Sequence, residues 1–135
     1  MESCSTQALR IVLVDDYPPF RTILRNLFEE FSALEVIGEA NDGQSAIETS
    51  LHLAPDIIIM DVKMPRLDGI EATRRIKHAL PAVHVVGVSS QDNTVTREAM
   101  IQAGCSAFIA KEDAHTLPGI IAKITGRSVT TVDGG

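Results

Sequence analysis

The tightest constraint in this chain is the run Ile57-Ile58-Ile59-Met60-Asp61. Four large apolar residues lead directly into one carboxylate. β-Branched side chains suit extended backbone, and an unbroken apolar run leaves no wet face. The segment therefore predicts a strand covered on both sides, as in a parallel sheet. Asp61 then emerges at the strand's C-terminal end, where open parallel sheets gather their ligands. Met64, Pro65 and Gly69 follow, so the chain turns sharply before its next helix. A carboxylate held at that mouth is costly unless something cationic meets it.

Ile11-Val12-Leu13-Val14 followed by Asp15-Asp16 has the same grammar, strand and then acid. Pro18 and Pro19 suit the first turn of a helix. Phe20, Ile23, Leu24, Leu27, Phe28 and Phe31 then recur at helical spacing. Residues 35–40 predict a short strand. Asn41 or Asp42 caps a helix with a narrow stripe of Ala46, Ile47, Ser50 and Leu51, which Pro55 stops. Beyond Asp61, Leu67 or Asp68 opens a third helix, with Ile70, Thr73, Ile76 and Leu80 inward and Arg74, Arg75 and Lys77 wet. Residues 84–88 form a fourth strand that runs into Ser89 and Ser90. Residues 93–103 predict a weaker helix that buries Val95, Ala99, Met100 and Ala103 and ends at Gly104. A fifth strand over 107–110 ends at Lys111. Leu117, Ile120, Ile121 and Ile124 mark the last helix.

Five strands alternating with five helices imply an α/β fold with helices on both faces of a parallel sheet. The expected architecture is a flavodoxin-like (βα)5, doubly wound, with strand order 2-1-3-4-5. One domain is expected over residues 8–126, with 127–135 as a tail or linker.

Charge and composition narrow the function. Net charge is −6 and no run of Lys or Arg occurs, which argues against direct nucleic-acid binding by this domain. No apolar stretch approaches the ~18 residues of a membrane span, and residues 1–7 lack an apolar signal core. A cytoplasmic setting without membrane contact is expected. Cys4 and Cys105 are too few to staple a domain. His52, His78, His84 and His115 show no ligand spacing.

Sorting the strand ends by what they display gives Asp15 and Asp16 on strand one, Asp61 on strand three, Ser89 on strand four and Lys111 on strand five. In the order 2-1-3-4-5 these strands adjoin, so the groups surround one crevice. Three carboxylates raise one another's pKa when close. A hard divalent cation relieves them, and Mg2+ favours one or two carboxylates together with water and phosphate. Carboxylate, hydroxyl and ammonium beside Mg2+ make a set suited to phosphoryl transfer. Asp61 would be the nucleophile and form an acyl phosphate, with Ser89 and Lys111 each meeting a phosphoryl oxygen. Taken singly, each residue has a plainer reading: the acid pair as a helix cap, Asp61 as a turn former, Lys111 as a solvated charge.

The set Asp15-Asp16, Asp61 with Met64-Pro65 and Gly69, Ser89, and Phe108 three residues before Lys111 resembles the receiver domain of bacterial two-component response regulators. The resemblance covers about residues 8–125. It implies that Asp61 accepts phosphate from a histidine kinase. It implies that Asp16, Asp61 and the Lys63 backbone carbonyl ligate Mg2+, with Asp15 acting mainly through water. It further implies that Ser89 and Phe108 form a switch altering the fourth helix, fifth strand and fifth helix, and that Lys63 and Gln91 tune dephosphorylation. Glu112 after the lysine, where the family often has proline, resembles the NarL subgroup with LuxR-type helix-turn-helix outputs. Control of transcription, a C-terminal DNA-binding domain in a longer protein and homodimerisation on phosphorylation would follow. The domain would be regulatory and not an enzyme in the usual sense, although it assists its own phosphorylation and dephosphorylation. Two rivals are a receiver-like interaction module that is never phosphorylated and a flavodoxin-like binder of a small molecule. The second should carry a Gly- or Ser/Thr-rich phosphate loop after strand one, where this chain has Asp-Asp-Tyr-Pro-Pro.

Overall fold

A computed structural model describes residues 7–64, 67–90 and 93–129. The strands are β1 (Leu9–Val14), β2 (Leu34–Ala40), β3 (Ile57–Asp61), β4 (His84–Ser89) and β5 (Ala107–Ala110). The helices between and after them are α1 (Pro18–Glu29), α2 (Gly43–Leu53), α3 (Gly69–Ala79), α4 (Thr94–Ala103) and α5 (Leu117–Thr125). All strand pairs are parallel and the order is β2-β1-β3-β4-β5. This is the expected topology. Its switch point lies between β1 and β3, the two strands that end in acids.

The period of two along each strand divides the core. Ile11, Leu13, Ile57, Ile59, Val86 and Val88 face Phe20, Leu24 and Phe28 of α1 and Leu117 and Ile121 of α5. Val12, Val14, Ile58, Met60 and Val85 face Ala46 of α2, Ala72 and Ile76 of α3 and Met100 of α4. All of β3 is buried, and each fully buried Ile or Met contributes about 1.5–3 kcal/mol of transfer free energy. A polar residue on either row would be stranded, which is why the run tolerates none before its end.

Three helices start on side-chain caps. Asp42 accepts from Ser45 N–H at 2.7 Å, Asp68 from Glu71 N–H at 3.0 Å and Asn93 from Thr96 N–H at 2.8 Å; such caps are worth roughly 1 kcal/mol each. Helix α1 differs. Its N-cap is Tyr17, with no side-chain cap, and Pro18 and Pro19 begin the helix. The acid pair before it is therefore not used as a helix cap.

Several expectations need correction. Ile23 and Val95 lie on their stripes but are 55% and 79% exposed, because α1 and α4 each bury a face narrower than the apolar pattern. Lys77 is half-buried and not fully wet. Its ammonium donates to the carbonyls of Pro81 at 2.8 Å and Val83 at 2.7 Å, tying the end of α3 to the entry of β4. A 3-10 segment, Lys111–Thr116, fills the space between β5 and α5 that the sequence left unassigned. His84 is half-buried and its Nδ1 lies 2.9 Å from Ser106 Oγ. Cys105 is also half-buried, and desolvation pushes its thiol pKa up. Cys4 and Pro65 lie outside the described residues.

Candidate functional site

The alternation that sorts the core also gathers the site. Val14 pairs with Met60, so Asp15 and Asp61 are the next residues in step on neighbouring strands. Asp15 continues the row of Ile11 and Leu13, Asp61 that of Ile57 and Ile59, and Lys111 that of Ile109, all on the α1–α5 side. Ser89 pairs with Ala110 at the end of β4 and continues the other row, that of Val85 and Gly87. Strand lengths thus present three charged groups on one row and a hydroxyl beside them.

Distances confirm the convergence. The Lys111 ammonium lies 2.7 Å from Asp15 Oδ2 and 3.6 Å from Asp61 Oδ1. One carboxylate oxygen from each of Asp15, Asp16 and Asp61 lies within 4.8 Å of the others. Asp15, Asp61 and Ser89 are buried, at 1%, 4% and 4% exposure, while Asp16 is open to solvent. Tyr17 N–H donates to Asp15 Oδ1 at 2.8 Å. Asp15 Oδ2 is enclosed, and the Lys111 ammonium at 2.7 Å is the charge it faces.

Burial is the main reason that the Asp61 pKa is pushed up from 3.8 to about 7, and the negative charge of Asp15 adds to it. Lys111 works in the opposite direction. Asp16 raises the value further, and a hydrogen bond from the Lys63 backbone lowers it. One ammonium does not balance three carboxylates. The cluster can accept a divalent ion, because three carboxylates this close supply hard oxygen donors and more negative charge than Lys111 offsets.

Glycine fixes the turn after Asp61. Gly69 N–H donates to Val62 C=O at 2.8 Å. A Cβ on Gly69 would lie 2.1 Å from the Asp61 carbonyl oxygen, so only glycine lets the start of α3 return this close.

Phe108 is buried, on the other face from Lys111 and among Met60, Val62 and Met100. Gly87 makes room for it: a Cβ there would sit 2.8 Å from both Met100 Cε and Phe108 Cδ1. Arg97 of α4 covers it, with its guanidinium 5.1 Å from the ring centroid and Nη1 donating to Phe108 C=O at 3.1 Å. Gln91 lies outside the described residues.

Two supports were not found in the sequence. The Phe20 ring lies 4.8 Å from the Lys111 ammonium, a cation–π contact. Arg21 Nη1 donates to the Asp15 carbonyl at 2.5 Å, while its Nε donates to Glu39 Oε1 at 2.7 Å. Phe20 reads as plain core and Arg21 as plain surface when only helical spacing is known. No motif marks either residue.

A cavity of about 590 Å3 lies elsewhere. It opens at the opposite pole of the sheet and is lined by Pro55, Asp56, Pro81, His84 and Arg127, among others. Its polar groups are already engaged: Asp56 Oδ2 accepts from Arg10 N–H at 2.8 Å, and Arg127 donates to Gln7 C=O.

Comparison with known proteins agrees with this geometry. The family model for the response regulator receiver domain matches residues 11–122. The chain is 32% identical over 103 residues to the response regulator GacA of Pseudomonas viridiflava, covering 76% of this chain and 48% of that protein. It is 40% identical over 104 residues to a protein-glutamate methylesterase/protein-glutamine glutaminase of Myxococcus xanthus, covering 76% of this chain and 30% of that protein. The chain therefore spans half or less of the length of these two relatives. A LuxR-family two-component response regulator from Aurantimonas sp. SI85-9A1 superposes with a TM-score of 0.81 at 31% identity, covering 94% of this chain and 92% of that one. Fold, clustered acids and family match agree: the chain belongs to the response regulator receiver domain family, and its work is phosphorylation-based signalling.

Proposed function

We propose that Asp61 is the phosphoryl acceptor and that the donor is a phosphohistidine on a histidine kinase. The observation that carries this reading is the enclosed Asp61 carboxylate, 3.6 Å from the Lys111 ammonium and clustered with two further acids. An Asp61 oxygen attacks phosphorus, the P–N bond breaks, and its electron pair leaves with the imidazole nitrogen. Lys111 and the Ser89 hydroxyl meet charge on the phosphoryl oxygens. Asp16, Asp61 and the Lys63 carbonyl would hold Mg2+, with Asp15 acting through water. The ion would supply positive charge to the phosphoryl oxygens. The receiver spans residues 8–126, and 127–135 serve as tail or linker.

The phosphorylated state would change the α4–β5–α5 face through Ser89 and Phe108, a local charge event biasing a two-state element. The output belongs to the rest of a longer protein. Likeness to GacA and to a LuxR-family regulator favours transcriptional control through a helix-turn-helix domain, with homodimerisation on phosphorylation, in the cytoplasm. The methylesterase relative carries its receiver on an enzyme. No described helix is long and apolar enough to cross a membrane.

Mass measurement after incubation with acetyl phosphate tests the reading. A gain of one phosphoryl group is expected with Mg2+, and none with EDTA or in Asp61→Asn. A gain that survives Asp61→Asn would refute the assignment. Lys63 and Gln91 would tune the lifetime of the acyl phosphate. Lys63→Ala is expected to change the decay rate several-fold while uptake stays within about twofold; an exposed cationic side chain two residues from the acceptor is removed without touching the nucleophile. Equal decay in the two proteins would remove Lys63 from that role.

A further inference from the structure

Gly43 opens α2, far from Asp61 in sequence, and is buried. Asp42 before it closes a capping box with Ser45: Asp42 Oδ1 accepts from Ser45 N–H at 2.7 Å, and Asp42 N–H donates to Ser45 Oγ at 3.3 Å. The position of this first turn is therefore fixed by its own hydrogen bonds. A Cβ built on Gly43 would lie 2.0 Å from the Leu67 carbonyl oxygen, 2.6 Å from its carbonyl carbon and 2.7 Å from its Cβ. Two of these atoms are backbone, so no rotamer change relieves the overlap. The Gly43 φ is not in the left-handed region, so the need for glycine here is one of space.

Leu67 belongs to the segment that brings the chain back to the site. Asp68 caps α3 immediately after it, and Gly69 is bonded to Val62 and packed on the Asp61 carbonyl. Lys63, next to Val62, donates its backbone hydrogen bond to the Asp61 carboxylate. Any outward shift of Leu67 is passed through this short closed path to the peptides beside the acceptor. A displacement of about 1 Å at groups that support a reacting centre is enough to matter.

We propose that Gly43 is a positioning residue for phosphoryl acceptance: the first turn of α2 seats Leu67 and thereby holds the Lys63 peptide where Asp61 and its metal need it. This rests on the acceptor reading above. The test is the Mg2+ dissociation constant of the folded chain, read from Tyr17 fluorescence. Tyr17 is the one tyrosine, the chain has no tryptophan, and it adjoins Asp16. Gly43→Ala is expected to weaken Mg2+ binding roughly tenfold, the scale on which residues supporting a metal ligand act. Gly119→Ala, in open space with nothing within 4 Å, is expected to bind as the parent does. Leu67→Gly takes away the Leu67 Cβ that faces Gly43 and loosens the backbone of the seated segment, and is expected to weaken binding about threefold, less than the roughly tenfold cost of losing a full support. It also serves if Gly43→Ala does not fold. Parental Mg2+ affinity in a folded Gly43→Ala chain, or in Leu67→Gly where Gly43→Ala fails to fold, would overturn the proposal. A parent chain that binds no Mg2+ would overturn the acceptor reading instead, and this proposal with it.

Discussion

In metal-free buffer, Asp61→Asn is expected to be more stable than the parent chain at pH 8 and close to it at pH 4. In the folded chain, burial and the neighbouring Asp15 push the Asp61 pKa from 3.8 to about 7. Between those values the folded chain holds a proton that the unfolded chain has lost. The unfolding free energy of the parent therefore declines as pH rises through this window. The stabilisation by the protonated acid is complete below pH 3.8 and gone above about 7. One pKa unit corresponds to 1.36 kcal/mol, so the difference has a ceiling of about 4 kcal/mol. Asparagine carries no charge to desolvate and removes the slope. Urea titrations of both proteins in EDTA at pH 4, 6 and 8 measure this. Mg2+ should narrow the gap at pH 8, because an ion that binds only the folded parent adds stability by mass action. Equal pH dependence in the two proteins would show that Asp61 is not the strained acid.

Lys111→Met is expected to slow phosphoryl uptake from acetyl phosphate by roughly 10²–10³-fold, the usual cost of losing one preorganised charge or donor aimed at a developing oxyanion. The side chain is held in place by Asp15 at 2.7 Å and by the Phe20 ring at 4.8 Å. Methionine keeps the apolar stem over that ring and deletes only the charge. Asp15 and Asp61 are then left facing each other without a cation, so the Asp61 pKa should rise further. Single-turnover mass measurement over a pH series separates the two effects: the rate falls at every pH, and its rising limb moves to higher pH. Lys111→Arg keeps charge but not the compact ammonium, and should recover only part of the rate. Uptake within a few-fold of the parent would remove Lys111 from the chemistry.

How much of this could be read from the residues alone follows from the physics of each element. The strands were legible because runs such as Ile57 to Met60 admit no other placement, and each ends in a residue that cannot continue the run. Once the order 2-1-3-4-5 is accepted, the convergence of Asp15, Asp61 and Lys111 follows from period-two alternation. Helix faces were less legible. Val95 and Ile23 fit the stripe yet stay wet, since apolar spacing says which residues could be buried and not how wide a face the sheet offers. Contacts made by residues without special chemistry were not legible at all. Phe20 beneath Lys111, Arg21 on the Asp15 carbonyl and Gly43 against Leu67 depend on how separate elements meet.

The bond from Arg127 to the Gln7 carbonyl places the two ends of the described fold side by side. They meet at the N-terminal pole of the sheet, with β1 starting there and α5 returning to it, while the acids open at the other pole. Polypeptide joined at either end would depart from the pole away from the acids, so the attachment itself leaves the mouth of the site open to a phosphoryl donor.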